Sequence, residues 1–496
     1  MHIIDNDLLS IQESRILAEN AYAAKQELAS FPQEKLDNIV EAMASAIDIH
    51  AAELAHMSAE ETDYGNWQDK YVKNKFICTV LREKLKYMRC VGVIKRDDET
   101  MTMDVGVPLG VIVALCPATN PVSTTVYKAM IAIKAGNAIV FSPHPRARKT
   151  MGKALDILIE AAERAGLPEG ALSYLHTVTS SGTEELMKHQ YTSLIMNTGV
   201  PAMLKAAYKA GKPVIYGGAG NGPTFIERTA DIKQAASDII SSKSFDYGIV
   251  SAAEQSVVVD GCIDAQVKEE LKARGAYFMT QEEADGLGKL FYRFDGTADT
   301  EILGKSATVL ANRAGFSVPE GTRVLVAEQR YYIPHSPYAK EKLCPVLAYY
   351  VEDDWRHACE KCIEMLLSER GGHTLVIHSK DEDVIRQFAL KKPVGRVLVN
   401  TPAVFGSMGV TTDIFPAMTL GSGSAGEGMT SDNVSPMNLI YVRKVGYGVR
   451  NAEDVVRNIL KHENLSRIPA TSRKIDDEGM KKLQFVLEKL LETISE

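Results

Sequence analysis

Over most of this 496-residue chain, short apolar strands alternate with helix-length segments, and that alternation restricts the fold more than any other feature. Residues 111–116, 138–141, 172–178, 193–196 and 213–216 read as strands, with helices over 120–136, 155–165 and 202–210 between them. Strands with no polar face must be covered on both sides, so this pitch predicts a parallel, doubly wound sheet. After Asn221 the alternation resumes with a helix over 231–242, a strand over 255–260, a helix over 265–274 and strands near 346–351, 374–378 and 396–399. The glycine-rich GGAGNGP at 217–223 joins the two halves. A chain this long exceeds one hydrophobic core, which agrees with two α/β domains.

Around these halves the texture differs. Residues 7–62 read as helices, with Leu8, Leu9, Ile11, Ile16 and Leu17 at helical spacing and a second helix opened by Pro32. Residues 100–105 and 439–445 read as isolated strands, expected to pair at an oligomer contact. Beyond about 450 come a short helix capped by Asn451, a polar linker containing Pro469, and an amphipathic segment. There Met480, Leu483, Leu487, Leu490 and Ile494 share one helical face.

Charge and cysteine usage narrow the class. Lys+Arg 56 against Asp+Glu 64 gives a net charge of −8, which argues against nucleic acid or an anionic membrane as partner. No apolar run reaches membrane-spanning length. The opening MHIIDNDLLSIQES carries Asp5 and Asp7 where a signal peptide needs basic and then apolar residues, so a cytoplasmic location is expected. The seven scattered cysteines look like reduced thiols.

Two motifs mislead. Gly421, Gly423 and Gly426 match G-x-G-x-x-G, but Pro416 lies upstream and EGMTSDNVSP follows, so the strand and helix that a dinucleotide turn requires are missing. A flexible loop is expected. Cys359 and Cys362 form a C-x-x-C without a second ligand pair, so ordinary helix cysteines and no metal site are expected. The stretch 116–150 is more informative. Asn120 before Pro121 reads either as a helix N-cap or as an amide aimed into a cleft at the end of a strand. His144, Arg146, Arg148 and Lys149 form a basic cluster that suits phosphates or a solvated helix start equally well.

Residues 103–150, MNTGVPAMLKAAYKAGKPVIYGGAGNGP at 196–223, KSFDYGIVSAAEQSVVV at 243–259, EKLCPVLAYY at 341–350, GGHT at 371–374 and RVLVNTP at 396–402 together resemble the CoA-acylating branch of the aldehyde dehydrogenase superfamily. The resemblance extends over roughly residues 5–447 and is strongest to the aldehyde dehydrogenase half of bifunctional aldehyde/alcohol dehydrogenases and to acetaldehyde, propionaldehyde and sulfoacetaldehyde acylating enzymes. It implies an aldehyde dehydrogenase-like α/β fold with two doubly wound parallel-sheet domains and a small β oligomerisation element. The implied boundaries are 1–98 with 110–221 for the dinucleotide and CoA domain, and 222–434 for the catalytic domain. Residues 99–109 with 435–447 would be oligomerisation strands, and 448–496 a linker and amphipathic helix.

The resemblance also implies roles. Asn120 matches the oxyanion-holding asparagine, Glu341 the glutamate at the nicotinamide ribose, and His373 a histidine near the active site of acylating enzymes. Thr198 and Gly199 match the turn that approaches the dinucleotide, and Ser142 and Pro143 the adenosine side. Thr119, His144, Arg146, Gly218 and Leu343 join the expected cofactor contacts. Hydrolytic relatives place a glutamate base where this chain has Gly217; without it, a thioester survives for a second thiol to attack. Relatives carry a cysteine nucleophile where this chain has Ser251, and a hydroxyl needs a positioned base that a thiol does not. The serine is either a deliberate replacement or the mark of a natural member that is inactive or altered; the intact remainder of the site favours replacement.

The expected reaction is aldehyde, CoA and NAD or NADP giving acyl-CoA and reduced cofactor. The rivals are a hydrolytic aldehyde dehydrogenase and an inactive cofactor-binding scaffold. Expected partners are a small aldehyde, CoA, a homodimeric or homotetrameric assembly, and a bacterial microcompartment shell through residues 480–496; a helix docked on a neighbouring subunit is the alternative for that tail.

Overall fold

A computed structural model describes residues 5–293, 299–368, 372–462, 478–482 and 484–486. Its contacts separate residues 1–94 with 104–443 from residues 95–103 with 444–496.

The larger unit begins with helices α1 (Asn6–Leu28), α2 (Gln33–Thr62) and α3 (Trp67–Phe76). Strands β1 (Gly92–Asp97) and β2 (Thr102–Pro108) follow. A five-stranded sheet then collects β3 (Val111–Leu115), β4 (Ala138–Ser142), β5 (Leu172–Tyr174), β6 (Thr192–Thr198) and β7 (Val214–Gly217) in the order β5-β4-β3-β6-β7. All its pairings are parallel. Every residue of β3 and β4 is buried, which is why both read as unbroken apolar runs. Helices α4 (Pro121–Lys134) and α5 (Arg148–Arg164) lead out of them. The chain runs outward from β3 through β4 to β5 and then returns to β6 on the other side of β3. A crevice therefore opens between the carboxyl ends of β3 and β6, the usual ligand position in such sheets.

A seven-stranded sheet collects β8 (Pro223–Ile226), β9 (Ser256–Asp260), β10 (Ala276–Phe278), β11 (Val324–Glu328), β12 (Val346–Glu352), β13 (Thr374–His378) and β14 (Arg396–Val399). Its order is β10-β11-β12-β9-β8-β13-β14, again all parallel. Helix α6 (Ile232–Ser244) precedes β9, and α7 (Trp355–Ser368) carries Cys359 and Cys362 as free, buried thiols. Strands β8, β10 and β11 escape the sequence reading. The strand expected over 172–178 stops at Tyr174, because Thr179 caps a new helix through Gly182 N–H at 3.1 Å.

The strands expected near 100 and 440 are neighbours within one chain. β15 (Ile440–Gly446) joins β2 and the unanticipated β1 in the order β1-β2-β15. The glycine loop behaves as read: Ser424–Gly426 is a single tight turn, and Gly421 and Gly423 donate to Asp432 and Thr430 carbonyls at 2.8 and 2.9 Å instead of opening a helix. In the smaller unit, helix α8 (Ala452–His462) is capped by Asn451, whose Oδ1 accepts from Glu453 N–H at 2.9 Å. The linker at 463–477 and most of the terminal amphipathic segment, including Leu483, Leu487, Leu490 and Ile494, lie outside the described residues. No described helix is long and apolar enough to cross a membrane.

Candidate active site

A cleft of about 150 Å³ opens at the crevice between β3 and β6. It brings together Asn120, Ser251, Glu341 and His373, drawn from four distant stretches of sequence. Thr119, Thr198, Gly199, Gly217, Gly218 and Leu343 line it as well. The two sheets contribute differently. Asn120, Thr198 and Gly217 sit at or just beyond carboxyl ends of the five-stranded sheet, whereas Ser251, Glu341 and His373 precede the amino ends of β9, β12 and β13.

Asn120 occupies the N-cap position of α4, yet its side chain makes no capping bond, so the capping reading fails. Its Oδ1 instead accepts from Lys73 Nζ at 2.5 Å, and its Nδ2 donates to Thr119 Oγ1 at 3.0 Å. Both ends of the amide are thus held by neighbours, and one Nδ2 hydrogen is left over among the described residues. Gly199 adopts φ +62°, and a Cβ there would lie 3.0 Å from Pro117 Cβ, so a side chain would close the crevice.

Ser251 ends a turn that begins with Asp246, Tyr247 and Gly248 at φ +48°, +53° and +69°. Gly220 packs against it so closely that a Cβ would stand 1.7 Å from the Ser251 carbonyl oxygen and 3.1 Å from His373 Nε2. His373 is 2% exposed; its Nδ1 pairs with Thr374 Oγ1 at 2.8 Å, and Nε2 has no partner among the described residues. Burial, reinforced by the Arg396 charge, pushes its pKa down to about 3, so the imidazole is neutral at physiological pH. Glu341 accepts the Gly220 N–H at 2.8 Å, and burial pushes its carboxyl up to about 7. At Gly217, a Cβ would meet Thr419 and Thr198 methyls at 3.3 and 3.4 Å, and no carboxylate stands there. None of the seven cysteines lines the cleft. The buried Cys344 has its thiol pushed up to about 11, so it offers no substitute nucleophile.

The expected adenosine-side residues stay outside this cleft. Ser142 Oγ bonds Thr183 Oγ1 at 2.8 Å, and His144 Nδ1 accepts from Arg146 N–H at 3.1 Å beside buried Pro143. Arg146 lies over the Tyr64 ring and also donates to its hydroxyl. Glu61 accepts from Lys149 and Thr150 N–H at 2.8 and 2.7 Å, so a carboxylate already fills the first turn of α5, where a phosphate could have sat.

Sequence reading missed Lys70, Lys73, Asp246, Gly220 and Arg396. The first two left one trace: an Asn66-capped helix with lysines three apart on one face. Arg396 left another, a charged residue opening an otherwise apolar strand.

Residues 10–285 match the Aldehyde dehydrogenase family. The chain belongs to that family. It is 35% identical over 490 residues to the bifunctional aldehyde-alcohol dehydrogenase AdhE of Escherichia coli (strain K12), covering 97% of this chain and 54% of that one. The chain thus spans about half the length of that relative. Among solved structures, an acetylating aldehyde dehydrogenase from Geobacillus thermoglucosidasius superposes with TM-score 0.87 at 42% identity, over 90% of this chain and 99% of that one. A propionaldehyde dehydrogenase from Rhodopseudomonas palustris, solved with bound CoA and an acylated cysteine, gives TM-score 0.79 at 26% identity, over 88% and 97%.

Proposed function

We propose that this aldehyde dehydrogenase is of the acylating kind, converting a short-chain aldehyde and CoA, with NAD or NADP, to acyl-CoA and reduced cofactor. The observation that carries the reading is one cleft holding Asn120, position 251 and a neutral His373, with glycine where a water-activating glutamate would stand. The acetylating relative from Geobacillus and the CoA-bound one from Rhodopseudomonas support it.

Each group has a task. A nucleophile at 251 adds to the aldehyde carbon, and the Asn120 amide with the backbone N–H of residue 251 holds the oxygen that becomes negative. The glycines at 199, 217 and 218 leave room beside Thr198 that a Cβ would narrow, which fits a dinucleotide, and Glu341 is placed to hold its ribose. When bound, the nicotinamide takes the hydride. Nε2 of His373, which has no partner among the described residues, can orient an incoming thiol, whose sulfur, once its proton has passed to solvent, displaces the residue at 251 from the acyl carbon.

With serine at 251, turnover should be slow. Ser251→Cys should raise aldehyde-dependent NADH formation by at least roughly 100-fold, with acyl-CoA as product. Full activity in the serine form, unchanged by Ser251→Ala, would reject position 251 as nucleophile; CoA-independent carboxylate formation would instead favour the hydrolytic rival. To the same proposal belong a homodimeric or homotetrameric assembly and delivery to a microcompartment through residues 480–496. A fluorescent protein fused to residues 464–496 should collect in microcompartments, and diffuse fluorescence would reject delivery.

A further inference from the structure

We propose that Lys73 is the positioning residue of the oxyanion hole, and that with Lys70 and Asp246 it clamps the Asn120 loop to the turn that carries Ser251. The proposal rests on Asn120 acting as the oxyanion donor.

A side-chain amide can face a cleft with either end, and only its N–H end stabilises a developing negative charge. An ammonium group has hydrogens and no acceptor, so whatever it touches on Asn120 must be the oxygen. Lys73 Nζ touches Oδ1 at 2.5 Å, which turns Nδ2 away from it as the free donor. One Nδ2 hydrogen goes to Thr119 Oγ1 at 3.0 Å, and the second remains for the substrate oxygen. A cation on the amide oxygen also draws charge through the amide and strengthens its N–H as a donor.

Lys73 is 1% exposed and is held in turn by Asp246, which is fully buried. Asp246 opens the left-handed turn leading to Ser251, and the cluster fixes both its carboxylate and its backbone. Asn66 N–H donates to Oδ1 at 2.8 Å, and Asp246 N–H donates to Asp69 Oδ2 at 2.7 Å. Lys70 completes the link by donating to Asp246 Oδ2 at 3.0 Å and to the Thr119 carbonyl at 3.2 Å. Gly65 leaves the space, since a Cβ there would stand 1.8 Å from Asp246 Oδ1. Burial alone would raise the Asp246 carboxyl, but Lys70 and Lys73 hold it below the usual carboxylate range; burial pulls Lys73 down to about 8 against the pull of Asp246, so at neutral pH its ammonium form predominates. Helix α3 thus ties the two donors of the oxyanion hole, the Asn120 amide and the residue-251 N–H, to one carboxylate.

The test uses the full chain with Ser251→Cys as parent and p-nitrophenyl acetate as probe. The thiolate attacks the ester carbonyl, the carbon–oxygen bond breaks and p-nitrophenolate leaves in a burst, a step that needs the oxyanion hole but neither NAD nor CoA. Asn120→Ala should slow the burst on the order of 10²–10³-fold. Lys73→Met should slow it at least about tenfold with undiminished amplitude, because amplitude counts folded sites and rate reports the hole. In the double variant, Lys73→Met should add no more than about twofold to the loss from Asn120→Ala, since it acts through that residue. Lys73→Gln, which keeps an N–H donor, should recover part of the rate. Losses that multiply in the double variant, a parental rate in Lys73→Met, or lost amplitude at unchanged rate would overturn the proposal. A parent with no burst would overturn the assignment of position 251 and this inference with it. A burst without CoA-dependent product would overturn the acylating reading alone.

Discussion

The two parallel sheets present opposite ends to the same cleft, and the positive charge found there comes from different sources. At its carboxyl ends the five-stranded sheet runs into helix N-termini such as that of α4, where unspent N–H groups already supply partial positive charge. At its amino ends the seven-stranded sheet is entered from loops and helix ends whose carbonyls are unspent. Buried cations satisfy them: Arg396 donates to the His373, Gly421 and Ser431 carbonyls at 2.6, 2.9 and 2.9 Å. Lys342 reaches the Tyr338 and Lys340 carbonyls at 2.9 and 2.8 Å, and Lys243 the Lys342 carbonyl at 3.0 Å. Building a site on amino ends therefore requires buried positive side chains that carboxyl ends largely do without. Lys128 and the α3 lysines are the exceptions: Lys128 donates to the Leu115 and Met196 carbonyls at 2.6 and 3.0 Å, where β3 and β6 part at the crevice, and Lys70 to the Thr119 carbonyl at 3.2 Å just beyond β3.

The sharpest way to break this comparison is to remove a cation from each side. Arg396→Leu strands two buried carbonyls and one part-buried one and should cost about 3–5 kcal/mol, read from urea unfolding. Lys128→Met keeps the volume and strands two, and should cost about 1–3 kcal/mol. If the two losses are equal, the amino ends carry no special demand. The third effect is one of pH. Glu254 accepts the Ala403 N–H at 2.9 Å, and burial pushes its pKa up to about 7 from 4.5. Its folded pKa lies above its unfolded one, so its contribution is fully present below 4.5 and is lost as pH rises to 7. One such proton gives a slope of up to about 1.4 kcal/mol per pH unit. Glu254→Gln should flatten stability against pH between 5 and 7, leaving the parallel share of Glu341. An unchanged slope would show that Glu254 does not titrate in the folded state.

The fold was legible where burial acts on whole segments. Strands β3 and β4, covered on both faces, could only be apolar, and the helix after β3 announces itself with Asn120-Pro121. Strands such as β10, three residues long, and β8, which starts at a proline, are too short to carry a periodic signal. Helix α3 was hidden for a different reason: its sequence, WQDKYVKNKF, reads as solvated, yet Lys70 and Lys73 are buried because Asp246 meets them from 173 or more residues away. Position 251 and His373 were found through resemblance alone, whereas Asn120 was open to two readings from its place before Pro121 and took its expected role from the resemblance. Their local patterns are compatible with an N-cap, a turn and a core histidine, and nothing local shows that they converge. The basic residues at 144–149 teach the reverse, since their cluster is real but Glu61 and Tyr64 engage it from another helix and its flanking turn.

The clamp beneath Asn120 bears on the order of events as the chain folds. Its bonds to Asp246, and those of Gly220 to Glu341 and Ala403 to Glu254, close loops of more than a hundred residues. Such long closures are entropically expensive and slow. Local helices and the early strands can form before them, but the reactive centre cannot. A nucleophile at 251 is therefore not aligned with its donors while the chain is half made, and a growing chain stays chemically silent toward the electrophiles it will later bind.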